Sequence, residues 1–145
     1  MTMKPVMAVI AGVMIDLLGT IIIAVLTGFA LGFYLLSQGV AESELETVLT
    51  ARITQAPWNI ALIALGAAIS VLAGFVTAKI AKQGVYAYAG TVGCISGIFG
   101  FWTGLNDTPV ALNISLALLT IIATVFGAFL WLRKNPPSMT TMPTQ

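Results

Sequence analysis

Residues 90–104 read GTVGCISGIFGFWTG, and the fold turns on why Gly90, Gly93, Gly97, Gly100 and Gly104 recur there at steps of three and four. At helical pitch these glycines share one face. In water each glycine inside a helix costs about 1 kcal/mol relative to alanine, so a soluble helix has no reason to carry such a stripe. Lipid reverses the argument. Acyl tails are as apolar as leucine, so helices gain little by hiding apolar surface and associate instead where small residues let backbones approach.

The rest of the chain places this stretch in lipid. Of 145 residues, 59% are hydrophobic and 8% charged, with a mean hydropathy of +1.02. Four apolar blocks follow one another at residues 6–36, 57–82, 85–104 and 109–132. A bilayer core about 30 Å thick needs about 20 helical residues, so each block is long enough to cross. The expected fold class is therefore all-α: a polytopic membrane protein with an antiparallel four-transmembrane-helix bundle, forming a single domain over residues 1–135. The first block exceeds one crossing, which predicts tilt or projection beyond the surface. Its apolar run is also too long for the core of a signal peptide and ends without a small-residue cleavage site, so it reads as a retained helix.

Charge and aromatic placement share no residues and agree on the topology, and charge sets the orientation. Lys4, Lys79, Lys82, Arg133 and Lys134 gather on one side of a four-span arrangement, while Glu42, Glu44, Glu46 and Asp107 gather on the other with Arg52. The basic side is the cytoplasm by the positive-inside bias, which puts both termini there. Tyr86, Tyr88 and Trp131 fall near that interface, and Tyr34, Trp58 and Trp102 near the opposite one, as aromatic belts require. A bacterial inner membrane is the expected location, with the lipid bilayer as the first partner.

The links are short. KQG, residues 82–84, turns the second helix into the third almost without a loop. At residues 106–109, NDTP offers Asp107 or Thr108 as a cap and Pro109 for the first turn of the fourth helix. The outer link is longer. Ser43 and Glu46 are spaced as a capping box, and Leu45, Val48, Leu49 and Ile53 recur at helical intervals, predicting a short amphipathic extracytoplasmic helix at about residues 43–55. The polar, proline-broken segment 136–145 is expected to be a disordered cytoplasmic tail.

Each span has a small face and a bulky face. The first carries Gly28 and Gly32, the second Gly66, Ser70, Gly74 and Ala78, and the fourth Asn113, Ala117, Thr120, Thr124 and Gly127. Together with the stripe of the third, these predict close helix packing, within one chain or between copies.

Asp16 is the sole acid inside any block. It shares a face with Gly12, Thr20 and Ala24 and so points into the bundle. Twelve residues beyond Lys4 it lies about 18 Å along the helix, near mid-membrane. Ser70, Cys94, Ser96, Thr120 and Thr124 reach similar depth and can complete a polar layer. A carboxylate in that setting needs a cation or several donors, and such residues commonly mark proton or cation sites. The competing role is structural, a neutral carboxyl hydrogen-bonded between helices.

Composition argues against most other chemistry. Histidine is absent, so the commonest general base and metal ligand is missing, and neither a metal nor another cofactor is expected. Cys94 is the single cysteine, which excludes an intrachain disulfide and predicts a buried packing residue. A net charge of +1, with basic residues scattered at membrane edges, gives no nucleic-acid signature. The sequon at Asn113 lies inside a span and is not read as a glycosylation site. Two functions follow. The first is a non-enzymatic structural or accessory subunit that assembles with itself or another membrane protein through its glycine-rich faces. The alternative is a small proton- or cation-coupled transporter or channel using Asp16.

Overall fold

The computed structural model describes residues 4–105 and 108–136. Helix α1 spans Lys4–Ser37; a 3-10 turn at Glu42–Glu44 leads into α2 at Leu45–Thr54; α3 covers Trp58–Ala81, α4 Val85–Thr103 and α5 Val110–Lys134. Four of these, α1, α3, α4 and α5, are long and apolar enough to cross a membrane. Their bulky side chains, Ile22, Phe29, Ile98 and Ile122 among them, stay exposed on the outside of the bundle. That is the surface a lipid-embedded protein presents.

The two most extensive seams are those of α5, against α3 and against α4, while α1 rests mainly on α3 and less on α4. Small residues make this possible. A methyl group added at Gly74 would run into the backbone carbonyl of Thr124, and one at Gly127 into the carbonyl of Val71 and the amide of Phe75. The α3–α5 crossing is thus backbone against backbone. Near the α3–α4 turn, Ala78, Val85, Ala89 and Ala128 form a buried cluster closed by Trp131 and Leu132. The turn itself is as tight as its three residues require: Lys82 has φ 59° and Gly84 φ 60°, a conformation glycine adopts at no steric cost.

At 1.5 Å per residue the 34 residues of α1 extend about 51 Å, well beyond a hydrocarbon core of about 30 Å. Its far end is covered by α2. Leu31 and Leu35 are buried there, and the four apolar positions of α2, Leu45, Val48, Leu49 and Ile53, are its half-buried ones while the remainder of that helix is exposed.

The helix starts differ from expectation. Ser43 does not build a capping box with Glu46: it lies inside the 3-10 turn, Glu44 occupies the position before α2, and no side chain caps the helix. The backbone supplies the substitute, with the Leu45 N–H donating to the Glu42 carbonyl. Pro109 stands before the first turn of α5 rather than within it, and Thr108 gives no side-chain cap. The expected alternative cap, Asp107, and all but the first residue of the expected tail over residues 136–145 lie outside the described residues.

Candidate functional site

The α1–α3 seam is antiparallel and can be followed pair by pair. Gly12 meets Thr77, Asp16 meets Ser70, and Gly19 meets Ile69. At Gly12 the helices are close, because Thr77 and Val92 fill the space a side chain would take. One turn further along α1 stands Asp16, 4% exposed, and one turn further along α4 from Val92 stands Ser96, 5% exposed. Beyond this level the bundle opens.

The opening is a cavity of about 520 Å³ to which all four spanning helices contribute. Asp16, Ser70, Ser96 and Thr120 lie at the level of the closed packing, while Ala24, Leu62, Thr103 and Leu116 line it toward the end that carries α2. The walls between are chiefly aliphatic, with Phe99 as their aromatic member. Bare glycines help to make the space: added methyl groups at Gly66 and Gly100 would meet nothing within 4 Å. The two halves of the bundle therefore differ, one sealed by alanine and glycine and the other hollow.

Hydrogen bonding at the inner end is incomplete. Ser70 Oγ donates to Asp16 Oδ1 at 2.7 Å, and the Gly66 carbonyl lies 3.2 Å from the same hydroxyl. Thr20 donates to the Asp16 backbone carbonyl at 2.7 Å, and Thr120 donates to the Leu116 carbonyl at 3.1 Å, so both hydroxyl hydrogens are turned to the helix. Among the described residues Ser96 Oγ is the one buried side-chain polar atom with no partner. A hydrogen bond to a charged group contributes about 1.5–3 kcal/mol, whereas removing an ion from water costs several kcal/mol. One hydroxyl therefore does not replace the water an ionised Asp16 loses. A charged Asp16 calls for a cation or further donors from the cavity.

The structure brings together Asp16, Thr20, Ser70, Ser96 and Thr120, and separates two members of the expected layer. Thr124 is fully buried between Gly74 and Gly93, with its hydroxyl hydrogen-bonded to the Thr120 and Ile121 carbonyls. Cys94 is exposed rather than buried. It follows the buried pair Val92 and Gly93 by a rotation of about 100°, which turns it to the lipid side. The glycine stripe is also narrower in contact than in spacing. Gly93 meets Thr124 and Ile121, Gly97 meets Ala117, and Gly104 meets Asn113, but Gly90 and Gly100 have no neighbour within 4 Å of an added methyl group. An added methyl group at Gly28 or Gly32 likewise has no neighbour within 4 Å, and both glycines line an apolar groove with Leu45 and Leu49 of α2. Gly66 is a cavity residue, whereas Gly74 is a true crossing point.

Sequence reasoning missed Phe99 and Thr103. Both follow Ser96 at intervals of three and seven, the spacing of one helical face, so their signal was present but was masked by the glycines between them. Asn113, whose amide donates to the Phe101 carbonyl at 3.0 Å, ties α5 to α4 at the open end. No known protein family, curated protein or solved structure matches the chain.

Proposed function

We propose that this small integral membrane protein is a non-enzymatic, proton- or cation-coupled transporter in which Asp16 is the coupling group. One observation carries the reading: a cavity framed by all four spanning helices ends on the single acid of those helices, held by one serine, and its lining includes a second, buried serine whose hydroxyl has no partner among the described residues. Cavities that bind small solutes are mostly apolar with a few convergent polar groups, and acids within membrane helices commonly mark proton or ion pathways. The hollow half provides access from one side, and the sealed half provides the barrier that a coupled carrier needs. The test is flux. Reconstituted in liposomes, the protein should move protons or alkali cations, and Asp16→Asn should fold, melt near the native temperature and show none. Flux retained in Asp16→Asn would discard the coupling role.

A second reading, an accessory subunit assembling with itself or with another membrane protein, draws on the apolar groove at Gly28 and Gly32. Absence of any flux in the native protein, across cations and pH gradients, would favour it.

A further inference from the structure

Resting on the transport reading, we infer that the cavity receives an organic ammonium ion that has an apolar body and N–H bonds on its head. Size is the first argument. A bare metal ion is held by several oxygens at 2.0–2.6 Å, a nest far smaller than the cavity of about 520 Å³, which matches the few hundred Å³ of small-solute pockets. Lining is the second. Leu17, Ile21, Leu62, Ile63, Phe99 and Leu119 offer nothing to a hydrated ion, but they bury the carbon skeleton of an organic solute and free its water. Phe99 adds a ring face of the kind that attracts cations.

The polar end fixes the head group. Asp16 is an acceptor with one donor among the described residues, Ser70, and Ser96 Oγ is buried with none of its hydrogen-bonding capacity used. The hydroxyls of Thr20, Thr103 and Thr120 already donate to helix carbonyls. With Asp16 ionised, this end lacks positive charge and further hydrogen-bond donors. A primary or secondary ammonium supplies both, donating one N–H to the Asp16 carboxylate and another to Ser96 Oγ. A quaternary ammonium supplies the charge alone, and an alcohol supplies no charge.

Equilibrium binding to the full chain in lipid nanodiscs, with empty nanodiscs subtracted, tests this with three probes of one skeleton: 4-phenylbutylammonium, 4-phenylbutyltrimethylammonium and 4-phenylbutanol. The ammonium should bind at least about tenfold more tightly than either of the others. Asp16→Asn and Ser96→Ala should each lower its affinity while leaving the melting temperature near native, and Leu118→Ala, on the lipid face, serves as the unaffected control. Equal binding of the alcohol would make the cavity a plain apolar slot and overturn the inference. Equal binding of the trimethyl compound would overturn the hydrogen-bonded head. Asp16-dependent proton or alkali-cation flux without ammonium binding would sink this inference and leave the transport reading standing. Asp16-dependent ammonium binding without flux of any kind would do the reverse.

Discussion

Ser70 Oγ stands 2.7 Å from Asp16 Oδ1, the hydrogen bond that links α1 to α3 at the level where the sealed half of the bundle gives way to the hollow one. The same hydroxyl lies 3.2 Å from the Gly66 carbonyl and has one hydrogen to give. With Asp16 ionised, that hydrogen belongs to the carboxylate. With Asp16 neutral, the carboxyl can donate a hydrogen bond to Ser70 Oγ, whose own hydrogen then turns to the Gly66 carbonyl. The α1–α3 link thus survives either state with its donor and acceptor exchanged.

This exchange predicts the stability of two variants. Asp16→Asn keeps an oxygen for Ser70 and the size of the side chain, so its melting temperature in detergent should stay close to native. Asp16→Leu removes the link and leaves Ser70 to Gly66, at a cost of about 1–2 kcal/mol, the usual scale for interhelical hydrogen bonds in membranes. Equal melting temperatures for the leucine and asparagine variants would show that the bond contributes nothing to folding.

Glycine-to-alanine substitutions should divide into two groups. At Gly74 and Gly127 the new methyl group collides with backbone of the facing helix, which cannot rotate aside, and overpacking of this kind costs about 1–3 kcal/mol. At Gly28, Gly90 and Gly100 the methyl group enters open space, and the melting temperature should hold or rise. Thermal unfolding of the five single variants reads the division directly.

Access to the cavity can be read by thiol labelling. In a Cys94→Ser background, Thr20→Cys and Thr103→Cys should react with a charged, membrane-impermeant reagent added from the α2 side, because both positions line the hollow half. Ile98→Cys, exposed on the bundle's outer face, should resist the same reagent in liposomes. Equal labelling at all three sites would mean that water does not distinguish cavity from lipid face.

The orientation expected from the basic residues at the α3–α4 turn and the end of α5 can be read with reporter fusions. Reporter fusions after Lys82 and after Gln145 should report cytoplasm, and one near Glu44 the opposite side. A C-terminal fusion reporting the far side would reverse the assignment.

The spanning helices were legible because hydropathy over a 20-residue scale leaves few alternatives for the backbone in lipid. The observed limits fall within two residues of the apolar blocks, and Leu45, Val48, Leu49 and Ile53 proved to be the sheltered side of α2. The candidate site was legible in part. Helical phase put Asp16 and Ser70 at one depth and facing inward, but phase cannot say whether a bare glycine is bare because a neighbour touches it or because a space adjoins it. On α4, Gly93, Gly97 and Gly104 lie within about 40° of one another around the axis, and Gly90 and Gly100 flank them. A contact line between two helices is narrower than that whole stripe. Cys94 shares the depth of the polar layer, but its position around the α4 axis turns it outward.

The unequal seams also determine which part of the molecule can move. Helices α3 and α5 meet backbone to backbone at Gly74 and Gly127, and sliding there would drive main-chain atoms into each other. Helix α1 meets its neighbours at Gly12 and Gly19 only through the side chains of Thr77, Val92 and Ile69, which can change rotamer. Displacing α1 at these contacts therefore asks only for rotamer changes, whereas displacing α5 on α3 asks main chains to part. Asp16 stands one turn along α1 from Gly12, so a tilt of α1 would alter the reach from Asp16 to Ser70.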